Sequence, residues 1–272
     1  MRKIIISFVV SCGLLFYSCS KSSQKIENTL DLNVVQDKAK QGDSQAQYNM
    51  GVFYMNGQGV TQDYSNAVEW FTKAAQQNDA DAQYNLGFIY SKGGYGVEQD
   101  YKKSAFWFLK SAELGNSIAQ NAIGTFYHEG KGVEFNDDKA FEWYTKSAQQ
   151  NFSTAKVNLA NMYNNGFSVP KNESKAFDLY LNAAEQGDKD GQFLLAGMYA
   201  NGITKPKDYK QAFFWYLKSA EQGDIGAQTN LGIMYENGIG TEINLKKARY
   251  WYKKAVEQRS EEAQKRLADL SQ

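Results

Sequence analysis

The chain has 272 residues, and 30 lysines and arginines balance 30 aspartates and glutamates. That balance points to neither nucleic acid nor an acidic surface as partner. A single histidine, His128, excludes a His-based metal cluster, and two prolines beside 14% aromatic residues suit a helical chain.

At the N-terminus, Arg2 and Lys3 precede an apolar run from Ile4 to Tyr17, too short to span a bilayer. Residues 1–18 read as a targeting segment. The stretch "FYSC", Phe16 to Cys19, followed by polar "SKSSQK", resembles the bacterial lipoprotein signal. That resemblance implies cleavage before Cys19, acylation of its thiol and a membrane contact through the N-terminal lipid. Phe16 stands where the signal usually has leucine. Cys12 is a competing site, but it would leave only Ile4 to Val10 as the apolar run. Ser20 after the cysteine implies an outer-membrane location facing the periplasm, with secretion or the cell surface as the alternative. A chain lipidated at Cys19 has no free thiol, hence no disulfide and no thiol catalysis. Without Arg2 and Lys3 its 28 basic groups face 30 acidic ones, a net charge of about −2. Residues 19–29 form a polar tether, about 17 Å long as flexible coil over its last ten residues.

Residues 30–42, "LDLNVVQDKAKQG", predict a capping helix. From residue 43 to 259 one pattern recurs six times. Its first half begins "AQYNMGVFYMNGQGV" at Ala46, with a tyrosine returning at Tyr54, Tyr90, Tyr127, Tyr163, Tyr199 and Tyr235. The spacing is 36 residues except for one 37, where "SKGGYGV" holds an extra residue. Its second half places tryptophan at Trp70, Trp107, Trp143, Trp215 and Trp251, with Leu179 in the fourth unit. A period this regular marks a repeat array. Ala46, Met50 and Tyr54 share one face of a first helix, A; Ala67, Trp70, Phe71 and Ala74 share one face of a second, B. Neither stripe can be buried by one helix alone, so pairs must stack. Residues 260–272, "SEEAQKRLADLSQ", predict a second capping helix.

Two kinds of glycine follow from this pattern. Gly51, Gly87, Gly124 and Gly232 share a helix position with Ala160, Ala196 and Ala268. Alanine does not favour positive φ, so that position demands smallness, letting a neighbouring helix approach through its tryptophan. The "NGxG" glycines after helix A, and Gly115, Gly187, Gly223, Asn78 and Asn151 after helix B, predict left-handed caps.

The motif A-Q-x-N-L-G-x-x-Y-x-x-G-x-G-V, followed by K-A-x-x-W-Y-x-K-A-A-E-Q-G, resembles the Sel-1-like repeat, a relative of the tetratricopeptide repeat. The resemblance implies an all-α fold: an α/α superhelical solenoid of about six helix-turn-helix repeats with terminal capping helices. It also implies a non-catalytic scaffold for a protein or peptide ligand, with no cofactor and no metal. A peptidoglycan- or glycan-binding envelope module is the alternative. Some cysteine-rich relatives are β-lactamase-like, but they carry paired cysteines, and none follows Cys19 here.

Several residues are candidate site members. Asn49, Asn85, Asn158 and Asn230 share a helix A position, interrupted by Ala122 and Leu194. In tetratricopeptide-like arrays helix A lines the concave side, where such a ladder could hydrogen-bond an extended peptide; the alternative is a solvated structural position. Gln47, Gln83, Gln120, Gln192, Gln228 and Gln264 recur with Lys156 as the exception, a regularity expected of a bond between repeats rather than of a ligand site. His128–Glu129 admits an acid–base reading, but a cation at a helix C-terminus is the simpler account. "KKARYWYKK", Lys246 to Lys254, reads as a solvated face around a buried Tyr250–Trp251 stripe, or as a dock for an acidic partner or anionic headgroups. The recurring Tyr and Trp fit core packing better than sugar stacking. No Walker, zinc-protease, serine-hydrolase or CxxC motif is present.

Overall fold

A computed structural model of the protein describes residues 31–270. The targeting segment, Cys19 and the tether lie outside the described residues. From Leu32 to Asp269 the chain forms fourteen helices: α1 (Leu32–Lys40), α2 (Ser44–Asn56), α3 (Tyr64–Ala75), α4 (Ala80–Lys92), α5 (Tyr101–Glu113), α6 (Ser117–Glu129), α7 (Asp137–Gln149), α8 (Ser153–Asn165), α9 (Glu173–Glu185), α10 (Lys189–Asn201), α11 (Tyr209–Glu221), α12 (Ile225–Asn237), α13 (Leu245–Glu257) and α14 (Glu261–Asp269). Even-numbered α2 to α12 are the predicted A helices and odd-numbered α3 to α13 the B helices. Among the described residues the only β pairing is one bridge between Gly94 and Val97, inside the loop lengthened by the extra residue.

Each helix start has a local cause. Asp43, Asp79, Asn116, Asp188, Asp224 and Ser260 precede even-numbered helices and accept hydrogen bonds from backbone N–H groups of the first turn. Asp63, Asp100, Asn136, Asn172, Asp208 and Asn244 do so for odd-numbered helices. These caps satisfy N–H groups that have no partner within the helix. Phe152, before α8, breaks the series and supplies no side-chain cap. The ends follow the predicted left-handed caps: Gly57, Gly130, Gly166, Gly202 and Gly238 close A helices at φ between 66° and 75°. After the B helices Asn78 and Asn151 take the same conformation as Gly115, Gly187 and Gly223.

The chain comprises two compact units, divided between Trp143 and Tyr144 within α7. In the first, Phe71, Ala74, Leu86 and Ile89 build one core and Val35, Ala39, Ala46 and Met50 another beneath α1. In the second, a core runs from Val157 through Tyr180, Leu195 and Tyr216 to Met234, and a smaller one around Tyr252 and Ala263 closes under α14.

The small residue in helix A packs against a different ring from the one expected. A Cβ added at Gly51 would lie 2.5 Å from the Phe71 ring, at Gly87 2.5 Å from Phe108, and at Gly232 2.2 Å from Tyr252. Each of these rings follows the tryptophan by one residue. Phe71, Phe108 and Tyr252 are wholly buried, whereas Trp70, Trp107 and Trp251 are half-buried. One residue on a helix is a 100° turn, so the second aromatic of the pair points into helix A and the tryptophan lies on the flank.

Candidate functional site

The polar residues that recur at the junctions between repeats form a bonded network. Five glutamines of the A helices reach back eight residues to a backbone carbonyl near the end of the preceding B helix. Gln47 Nε2 donates to Ala39, Gln83 to Ala75, Gln120 to Ala112, Gln192 to Ala184 and Gln228 to Ala220, all at 3.1–3.2 Å and all buried. A second glutamine, at the end of the next B helix, completes the clasp. Gln77 Nε2 donates to Gln47 Oε1 at 2.8 Å and to the Gly42 carbonyl at 3.0 Å. Gln222 makes the same bonds to Gln192 and Gly187, and Gln258 to Gln228 and Gly223. One amide pair thereby ties three helices, and the buried amide oxygen is satisfied. Gln264, in α14, is exposed and makes no side-chain bond of this kind.

Two junctions depart from the scheme. Leu114 stands where the second glutamine belongs in the repeat 80–116, and Gln83 Oε1 is left buried without a hydrogen-bond partner. In the repeat 153–188 Lys156 replaces the first glutamine, and its Nζ donates to the side-chain oxygens of Asn151 and Asn182. Gln186 Nε2 donates to the same two oxygens at 3.2 and 2.7 Å. Burial holds the Lys156 ammonium below the usual lysine range.

A carboxylate on the first turn of an A helix meets the cap of the next. Asp81 accepts from Asn116 Nδ2 at 2.8 Å. Burial raises its carboxyl and the Asp79 carboxylate adds to the rise, while Asn116 opposes it. In the second unit the equivalent Asp190 has Asp224 as its neighbour instead. Burial, then the Asp188 carboxylate, push Asp190 up to about 6; Lys189 opposes this and Asp224 adds to it.

The asparagine series lies partly inside this structure. Asn49 is half-exposed and accepts from Gln45 Nε2 at 3.3 Å. Asn85 and Asn230 are 9% exposed. Asn158 is half-buried. Asn49 and Asn85 belong to the first unit, Asn158 and Asn230 to the second.

His128 is not a free cation at a helix end. Its Nδ1 lies 2.6 Å from Asp137 Oδ1, which joins the end of α6 to the start of α7. Glu129 pairs with Lys131 at 2.6 Å. The Tyr250 ring, expected in a buried stripe, is 53% exposed, and Tyr252 takes the buried place. A cavity of about 330 Å³ beside the lengthened loop is lined by Ser65, Tyr90, Glu98, Asp100 and Lys103. Lys103 is held there by Asp100 at 3.4 Å and by the face of Tyr90. Among the described residues no group of three His, Cys, Asp or Glu side chains could hold a metal, and no helix is long and apolar enough to cross a membrane.

Six stacked helical pairs with capped ends and clasped junctions define an α/α solenoid repeat protein. The Sel1 repeat model matches residues 44–79, 80–116, 117–152, 153–188, 189–224 and 225–260, so the chain belongs to the Sel1 repeat family. It is similar to a protective antigen present in uropathogenic Escherichia coli strains that displays an SLR fold: 39% identity, 88% of this chain and TM-score 0.78. The chain spans 51% of that antigen's length. It is similar also to a Sel1 repeat protein from Oxalobacter formigenes at 34% identity, over 79% of this chain and 86% of the other, with TM-score 0.75. An immunity protein from Pseudomonas aeruginosa shares the fold at 19% identity, over 79% and 81% of the two chains, with TM-score 0.52. A search of curated proteins found no match. Sel1 repeat proteins are generally protein-interaction scaffolds and typically non-catalytic.

Proposed function

We propose that the chain is a non-catalytic scaffold for a protein or peptide, anchored in a bacterial envelope through lipid on Cys19. The observation that carries the binding role is the glutamine clasp. The junction amides are spent on holding repeats together, so the chemistry of these residues is cohesive rather than reactive. What remains for a partner is the side-chain surface of the A helices, where Asn49 in one unit and Asn158 in the other are half-exposed and the buried Asn85 and Asn230 complete the series beneath. A primary amide offers both donor and acceptor to an extended backbone. The ladder is tested by replacing all four asparagines with alanine and repeating a pull-down from envelope extracts. Loss of the proteins recovered by the wild type is expected; undiminished recovery overturns the ladder. Binding of the protein to isolated cell-wall sacculi would favour a glycan-binding module instead. The anchor has a separate test: Cys19→Ala should abolish palmitate incorporation, and continued labelling overturns lipidation at that residue.

A further inference from the structure

The outer faces of α11 and α13 carry exposed aromatic rings set among lysines. On α13, Lys246, Tyr250 and Lys253 recur at i, i+4 and i+7 and so share one stripe. All three are exposed, and neither lysine has a carboxylate within 4 Å among the described residues. On α11 the positions 36 residues earlier hold Lys210 and Phe214, with Lys218 one turn on, its ammonium 4.8 Å from the Phe214 ring centre. Phe214 is 45% exposed. Both helices pack against α12. Each ring is set in a T-shaped contact with the following tryptophan, at 4.9 and 5.1 Å, and stays about half exposed. Residues 245–254 hold five basic side chains and no acidic one, in a chain whose charges cancel overall.

We infer that this face rests on an anionic lipid surface, Lys210, Lys218, Lys246 and Lys253 meeting headgroups and Phe214 and Tyr250 entering the interface. A peptide ligand is the weaker fit. The aromatic residues stand on helix ridges rather than in a groove, and a ridge of cations flanking exposed rings is the form that binds at a bilayer interface. Lysine stems add apolar cover while their ammonium groups stay at the headgroups. The face belongs to B helices, so the inference stands apart from the asparagine ladder on the A helices.

The test uses the full chain reconstituted into vesicles, so that the wild type and every variant carry the same N-terminus. Lysines are acetylated by a water-soluble reagent, and the labelling of each is read by mass spectrometry. On vesicles of equal parts phosphatidylglycerol and phosphatidylcholine, labelling of Lys246 and Lys253 should fall about fivefold relative to pure phosphatidylcholine. Lys38 and Lys92, exposed in the first unit, should not change. About 0.5 M salt should restore labelling, and Phe214→Ala with Tyr250→Ala should restore much of it without altering the circular dichroism. Equal labelling on both vesicle types overturns the inference. So does protection that appears only with an added acidic polypeptide, which would make the face a protein dock.

Discussion

The repeats 80–116 and 189–224 occupy one unit each and share their helix pattern, yet their junctions fail in complementary ways. The first has no second glutamine, so Gln83 Oε1 is orphaned, but its Asp81 accepts from Asn116. The second has the whole clasp, Gln222 to Gln192 and Gly187, but sets Asp190 beside Asp224. The difference teaches that a junction holds through two separable devices, an amide clasp between helix ends and a polar pairing between helix starts. Neither device is required at every junction.

Exchanging the defects between the two repeats tests this. Gln222→Leu imports the gap of the first repeat into the second, strands Gln192 Oε1, and should cost about 1–3 kcal/mol in urea unfolding. Asp190→Asn gives the second repeat a neutral partner for Asp224 and should stabilise at neutral pH by about 1–2 kcal/mol, the full value of the shift being reduced for a half-exposed group. The sign follows from a folded-state carboxyl near 6 against about 3.8 in the unfolded chain. The fold prefers the protonated form, so the penalty is absent below about pH 4, develops as pH rises through 6, and is complete above. The gain from Asp190→Asn should therefore vanish in unfolding measured near pH 4, and a gain that persists there would place its cause elsewhere. Leu114→Gln should repair the first repeat, supplying a donor to Gln83 Oε1 and raising the unfolding free energy by about 1 kcal/mol. Lys156→Gln restores the common residue at a third junction and removes a buried ammonium. A gain of about 0.5–1 kcal/mol is expected, since the asparagine oxygens already meet much of the charge's demand.

The period, the helix pairs and the cap glycines were legible in the sequence because each repeats a local requirement six times over. The glutamine series was legible for the same reason, and its regularity alone indicated a bond between repeats. Its partner was also visible, in the Gln of "AEQG" at Gln222, but two glutamines thirty residues apart announce no contact until the helices are stacked. The choice between Trp70 and Phe71 as the ring against Gly51 rests on a 100° rotation that two adjacent aromatics leave undecided. The His128–Asp137 contact depends on how a turn folds back, and neither residue recurs in the other repeats. The Asp and Asn caps formed a periodic signal as plain as the tyrosines, standing one position before every helix except α8 and α14.

The clasp also bears on how such a chain can change length. Each complete repeat brings both amides of its clasp, each reaching back to a backbone carbonyl of the segment before it, so a duplicated block of thirty-six residues would arrive with its whole fastening. Gene segments of this kind can multiply or drop out in tandem without redesign of what flanks them. Variation in repeat number among related proteins is then the cheap change, and a shift in the register within a repeat the costly one.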